Sequence, residues 1–239
     1  MPRWFQSVET LPDDPPFTRA LFERLGLRGI NCGCGRGLEP GWFNTDLVRI
    51  EERDGRESEL NRLARVDGHL YFLRHDATEP YPVEDECFDW AYSEHVIELV
   101  SRDDAIAWLT EVHRMLRPGG LVRITTPNLA IFVRAYTDPN DPFYEQNRQA
   151  LARTRRFQGR EVPDRRGWMV NDIFYGWRHR WIYDFEELKH ALVAAGFEPA
   201  TVVEREVGVS AVAEVAALDL PGRALQTIYV EARRYERSE

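Results

Sequence analysis

Short apolar runs alternate with amphipathic stretches along most of the chain. Phe17, Leu21 and Leu25 share one face at helical spacing before Gly26 and Gly29. A strand over Arg28 to Cys32 then enters the turn Gly33-Cys34-Gly35-Arg36-Gly37. Further strands are predicted at Trp42 to Val48, His69 to Leu73 and Phe88 to Tyr92, the last followed by Ser93-Glu94-His95. The charged stretch from Ile50 to Asp67 reads as a helix or a surface connection. A helix from about Asp103 to Met115 turns Ile106, Leu109, Val112, His113 and Leu116 inward and stops at Pro118-Gly119-Gly120. Leu121 to Thr125 is a nearly continuous apolar run, which suits a strand buried on both faces.

The regular pattern breaks from Pro127 to Arg180. It resumes at Asp184, with Glu187 three residues on as in a capping box, and that helix runs to Gly196. Strands near Thr201 to Val207 and Leu225 to Ala232, with a weak helix around Val212 to Leu218 between them, complete the chain. Strands alternating with helices predict an α/β fold, a doubly wound and mostly parallel sheet of seven strands. One domain spans residues 1–239, and residues 129–180 form a lid inserted between strands five and six.

Composition narrows the function classes. With 239 residues, 43% of them hydrophobic, one sizeable core is available. No apolar run approaches the roughly 18 residues that span a bilayer, and the opening Met-Pro-Arg-Trp-Phe-Gln-Ser has no apolar signal core, so a cytoplasmic protein without membrane partners is expected. A net charge of −9 disfavours general nucleic-acid binding. That average hides an asymmetry, because Arg148 to Arg180 holds nine arginines against Glu161, Asp164 and Asp172. Cys32, Cys34 and Cys87 lack the spacing of a zinc site, and no metal is expected.

The glycine turn lets a ligand approach the backbone after the first predicted strand. Its spacing is Gly33-x-Gly35-x-Gly37, with Leu38 where a dinucleotide fingerprint places its third glycine. Asp46, closing the second predicted strand, can accept hydrogen bonds from both hydroxyls of a ribose. Asp76, after the third, can accept from the exocyclic amine of an adenine, with Leu47 and Ala77 as apolar walls for the base.

The segments INCGCGRG, PGWFNTDL, RHDATEPYP, FDWAYSEHVIELV and LTEVHRMLRPGGLVRITTPN resemble the successive motifs of class I S-adenosylmethionine-dependent methyltransferases. The likeness is closest to bacterial small-molecule methyltransferases whose second motif reads PGWxNxD, and HRWIYDFEELKHALVAAGFE resembles their C-terminal helix and strand. The resemblance implies a Rossmann-like fold and S-adenosylmethionine as cofactor. It places Gly33, Cys34 and Gly35 at the methionine part, Asp46 at the ribose, Asp76 at the adenine and Ser93 beside the methionine end. The chain departs from the pattern twice. Asn31 stands where an acidic residue is usual and is left to orient the loop, and Leu99 stands where many relatives have a second histidine.

Such a cofactor brings its own leaving group, so the protein has mainly to align an acceptor and remove a proton where the acceptor needs it. His95, just after the fourth predicted strand, is the candidate base or positioning residue; Glu94 is a second candidate, and His179 could reach the same pocket from the end of the insertion. Trp168, Phe174, Tyr175, Trp177 and Trp181 either pack the insertion onto the sheet or wall an acceptor pocket. The arginines suit either an anionic group on the acceptor or the acidic remainder of the chain. The expected function is methyl transfer to oxygen or nitrogen of a small molecule: a saccharide, nucleotide-sugar or secondary metabolite. Alternatives are a nucleic-acid methyltransferase using the basic insertion, a related sulfonium-dependent transferase, and a cofactor-binding module without catalysis.

Overall fold

The computed structural model describes residues 5–52 and 55–235. Met1 to Trp4, on which the reading of the N-terminus partly rests, lie outside the described residues. In chain order the elements are β1 (Val8–Thr10), α1 (Arg19–Leu25), β2 (Gly29–Cys32), β3 (Trp42–Asp46), β4 (Leu63–Val66), β5 (Leu70–Arg74), β6 (Phe88–Glu94), α2 (Arg102–Met115), β7 (Leu116–Pro127), α3 (Leu129–Thr137), α4 (Phe143–Ala152), α5 (Arg166–Asn171), α6 (Phe185–Ala194), β8 (Val203–Arg205), α7 (Ala213–Ala216) and β9 (Thr227–Arg233).

The strands form one sheet in the order β1-β4-β5-β3-β2-β6-β7-β9-β8. The seven expected strands are present, but the sheet has nine and is mixed rather than mostly parallel. The central run β5-β3-β2-β6-β7 is parallel, and the four outer pairings are antiparallel. The two unexpected strands, β1 and β4, extend one edge. β4 and β5 form a hairpin through Asp67 and Gly68, both at positive φ, with the His69 N–H bonded to the Val66 carbonyl. An Asp-Gly pair is a strong hairpin signal. It went unread because charge dominates the segment before it, where no helix forms and the chain runs as isolated bridges and turns.

One face of the sheet is covered by α1, α2 and α6. Leu21 and Phe22, Trp108, Leu109 and Val112, and Leu188 and Leu192 pack there onto Ile30, Phe43, Ala91 and Ile124. The helices begin where side chains can satisfy their first N–H groups: Thr18 caps α1, Ser101 caps α2 and Asp184 caps α6. Trp42, Tyr92, Leu121 and Val215 pack on the other face, under α7.

That second face also holds a fully buried cation. The guanidinium of Arg123, on β7, donates to both carboxylate oxygens of Asp219 at 2.9 and 2.5 Å and to Glu231 at 3.0 Å. It also donates to the carbonyls of Val209 and Glu206. A buried guanidinium needs such a set of acceptors to offset its lost hydration. Satisfying it folds the segment from Glu206 to Asp219 back over the sheet.

The insertion departs from the irregular, charged stretch expected. It is helical, with an apolar centre of Phe132, Phe143, Met169, Ile173 and Ile182 and a smaller one of Leu151, Phe157 and Val162. Short helices with few turns give a weak periodic signal, so the arginines dominated the sequence pattern. Its two ends meet, because Asn128 and Tyr183 bridge and the Leu129 N–H bonds to the Tyr183 carbonyl. Three of the nine arginines between Arg148 and Arg180 staple the insertion to itself. Arg148 pairs with Glu145, Arg156 with the buried Asp172, and Arg166 donates to the carbonyls of Ala135, Asp138 and Pro139. No helix among the described residues is long and apolar enough to cross a membrane.

Removing one partner of a buried ion pair typically costs about 3 to 5 kcal/mol, whereas an exposed pair contributes about 0 to 1. Asp219→Ala is therefore expected to lower unfolding stability by roughly 3 kcal/mol in urea titrations. Arg205→Ala, which removes the partly exposed partner of Glu231, should cost under about 1 kcal/mol. Equal losses would show that burial does not govern this network.

Candidate active site

The carboxyl ends of the parallel strands gather most of the expected cofactor residues. The turn after β2 is pinned by the N–H groups of Gly33 and Cys34, which donate to the Thr45 carbonyl at 2.7 and 3.1 Å. Asp46 braces it from β3: its Oδ2 accepts from the Gly35 N–H and its Oδ1 from the Val48 N–H, each at 2.8 Å. Gly33 has φ +77°, and a Cβ there would stand 2.0 Å from Cγ2 of Val96, so only glycine fits. A Cβ on Gly35 would meet nothing within 4 Å, which leaves open space over the turn.

Asp76 follows β5. Its Oδ1 accepts from the backbone and hydroxyl of Thr78, which holds the carboxyl below its ordinary range and leaves Oδ2 uncommitted. Leu47 is exposed and Ala77 half-buried. Ser93, in register with Cys32, has a buried hydroxyl with no partner. Asn31 is buried, and its amide donates to Asn44, whose own side chain holds the backbone of Glu39. It therefore acts on the loop through Asn44. Cys34 is half-buried in the turn, and burial pushes the Cys32 thiol up to about 12, which makes it inert at neutral pH.

The open space over Gly35, the outward lone pairs of Asp46, the free Oδ2 of Asp76 and the orphaned Ser93 hydroxyl suit an adenosyl group and an amino-acid tail. The residues fit S-adenosylmethionine.

Beside this turn lies a cavity of about 470 Å³. His95, Glu98 and Leu99 line it from the loop after β6, and Pro127 from the end of β7. Asn147 and Leu151 of α4 contribute from the insertion, as do Ile173, Trp177 and His179, while Arg223 and Gln226 close it from the turn before β9. Two of the three candidate catalytic residues thus share one cavity. Glu94 does not line it; its half-buried carboxylate lies 3.8 Å from Arg223, and burial raises its affinity for a proton. Among the five insertion aromatics Trp177 alone lines the cavity, while Trp168 packs edge-on against Phe157. None of the nine arginines between Arg148 and Arg180 lines it.

The two histidines are held differently. His95 adopts φ 54°, a left-handed conformation rare outside glycine, and each of its ring nitrogens has a polar neighbour. Nε2 lies 2.9 Å from the Thr227 hydroxyl, and Nδ1 lies 3.2 Å from Oε1 of the fully buried Glu98. Glu98 also accepts from the Thr126 hydroxyl, and its carbonyl takes the N–H groups of Arg180 and Trp181, tying this loop to the end of the insertion. His179 has Nδ1 2.6 Å from the Ile173 carbonyl and no partner on Nε2 among the described residues. A carbonyl can only accept, so the proton sits on Nδ1 and Nε2 keeps its lone pair. Glu98, Asn147 and Arg223 escaped the sequence reading. Only Glu98 had a visible signal, three residues after His95 on one side of a turn.

Residues 30–124 match the family model described as a methyltransferase domain. Over this segment the chain is similar to methyltransferase domains. A probable S-adenosylmethionine-dependent methyltransferase of Mycolicibacterium smegmatis is 28% identical over 179 residues, 72% of this chain and 63% of that protein, so the chain matches less than two thirds of it. A ubiquinone biosynthesis O-methyltransferase of Rhizobium etli is 26% identical over 72% of this chain and 74% of its own length. Among solved structures, an S-adenosylmethionine-dependent methyltransferase of Mesorhizobium loti aligns at 21% identity with a TM-score of 0.45, covering 87% of this chain and 91% of that one.

The tight seat of Val96 makes Gly33 the more demanding of the two turn glycines. Gly35→Ala is expected to cost about 1 to 2 kcal/mol for its positive φ alone. Gly33→Ala adds the displacement of Val96, about 1 to 3 kcal/mol more. Chemical denaturation of both variants checks the order, and equal losses would remove Val96 from that seat.

Proposed function

We propose that the protein transfers the methyl group of S-adenosylmethionine to oxygen or nitrogen of a small molecule bound in the 470 Å³ cavity. One observation carries this reading: the segment after β6 serves both places. Val96 seats against the glycine turn, while His95 and Glu98, on either side of it, line the cavity. A donor on the turn and an acceptor in the cavity would therefore meet across a single loop. When bound, the cofactor supplies an electrophilic methyl group and a neutral leaving group. The chain has to hold Asp46 and Asp76 toward the adenosyl part, keep Ser93 near the methionine end, and orient an acceptor against His95 and His179.

Similarity to the ubiquinone biosynthesis O-methyltransferase of Rhizobium etli supports a small-molecule acceptor, and the net charge of −9 runs against a polyanionic one. Residues 129–180 act as the lid: seven of the fifteen residues lining the cavity, Asn147, Ile173 and His179 among them, belong to this segment.

S-Adenosylhomocysteine is expected to bind at micromolar levels, about −8 kcal/mol by calorimetry. Asp46→Ala should weaken it by roughly 1.5 to 3 kcal/mol, since ribose hydroxyls lose a charged acceptor. Absence of binding to the wild type, or preference for a nicotinamide dinucleotide, refutes the proposal. The lid reading has its own test in hydrogen exchange. Amides of residues 129–180 should gain protection when S-adenosylhomocysteine is added, and full protection in the free protein argues for a rigid insertion.

A further inference from the structure

Besides Oε1 of Glu98 and the Gln226 amide, two side chains on the cavity have polar atoms with no hydrogen-bond partner among the described residues. The first is Nε2 of His179. The second is the carboxamide of Asn147, which is only 4% exposed, lines the cavity from α4 and has no hydrogen-bond partner among the described residues. Buried side-chain amides ordinarily find partners inside the protein. One that faces a cavity without any is matched to a ligand that offers both a donor and an acceptor. His95, Glu98 and Arg223 have polar neighbours within the protein. His95 is clasped between Glu98 and Thr227, and Glu98 holds Thr126. Arg223, the one guanidinium on the cavity, has Glu94 at 3.8 Å. Its side chain is 45% exposed, so solvent and that carboxylate together screen its charge. The walls between these groups are apolar: Leu99, Leu151, Ile173 and Leu225, with the Trp177 ring beside them.

We infer that the acceptor is an uncharged, hydroxylated ring, that Nε2 of His179 takes the proton from its reacting hydroxyl, and that Asn147 selects it by binding a second polar group. His95 is then a positioning residue that locks the loop between the cofactor turn and the cavity. The inference rests on the methyl-transfer reading. In the transfer, the O–H bond breaks toward Nε2 of His179 while the oxygen bonds to the methyl carbon. The carbon–sulfur bond breaks, and its electron pair stays on sulfur, which loses its positive charge. The fixed tautomer makes Nε2 available, and burial lowers the affinity of His179 for a proton, so the ring is neutral and ready to accept one near pH 7. Glu98, His95 and Asp172 are the ionisable groups around it, and Asp172 is itself paired with Arg156.

Saturation-transfer NMR on the full chain, with and without S-adenosylhomocysteine, tests the ligand class. Catechol and methyl glucoside are the uncharged probes, one aromatic and one a sugar, and benzoate is the anionic control. At least one uncharged probe is expected to bind, benzoate at least about tenfold more weakly. Asn147→Leu and the isosteric Asn147→Asp should each lose the bound probe by about tenfold with an unchanged thermal midpoint. Diethyl pyrocarbonate should acylate His179 ahead of His95, whose Nε2 is bonded to Thr227 and whose Nδ1 faces the buried Glu98 carboxylate. With the bound probe as acceptor, His179→Gln should lower turnover about 100-fold and remove the acid limb of the rate–pH profile, which in the wild type falls below the ordinary histidine range. Binding of benzoate as tight as that of the uncharged probes, no uncharged probe bound, faster acylation of His95, or turnover of His179→Gln within about threefold of wild type overturns the inference. Calorimetry with S-adenosylhomocysteine alone keeps the failures apart. If the cofactor product does not bind, the methyl-transfer reading falls, while probe binding and acylation still judge the cavity.

Discussion

The burial of Arg123 constrains much of the structure on one side of the sheet. A guanidinium without water must meet acceptors on nearly every N–H, and here two carboxylates and two carbonyls supply them. Asp219 and the carbonyls of Glu206 and Val209 come from the connection between β8 and β9. That connection cannot leave the sheet without stranding the charge. Its far end, Gly222 to Gln226, walls the cavity, and Thr227 beyond it reaches His95. A structural ion cluster thus fixes one wall of a candidate site it does not touch.

The opposite wall is fixed by different means. The insertion has its own apolar centre, and Arg148, Arg156 and Arg166 pair with its own acids and carbonyls. It is joined to the sheet at the bridge between Asn128 and Tyr183, and through the Glu98 carbonyl, which holds Arg180 and Trp181. Glu98 therefore links three things at once: the His95 ring, the end of β7 through Thr126, and the returning end of the insertion. A motion of the insertion about these attachments would be felt first at His95.

The chemistry of the cavity turns on how two similar side chains are hydrogen-bonded. His95 stands where a base is expected from its place after β6, yet the structure bonds its Nε2 to Thr227, sets Nδ1 against Glu98 and strains its backbone. His179 arrives from 84 residues further along with one nitrogen committed to a carbonyl and the other open. Leu99 removes a second histidine from the β6 loop, and the insertion brings one back from elsewhere in the chain.

What the sequence by itself determined is the central parallel sheet and the glycine turn after β2. The apolar runs of β2, β3, β5, β6 and β7 are dictated by burial on both faces, and Gly33, Gly35, Asp46 and Asp76 carry their signal within a few residues of those strand ends. Local chemistry was enough there, because strand and turn are neighbours along the chain. Even so, the Asp67-Gly68 hairpin was present in the sequence and obscured by the charge around it. The tertiary structure alone decided the acceptor cavity. Its walls come from residues 95 to 99, 147 to 154, 173 to 179 and 222 to 226, which only folding brings together. Whether Asn147 faces solvent or a void, and which histidine nitrogen is free, depends on packing against partners tens of residues away; no local pattern encodes it.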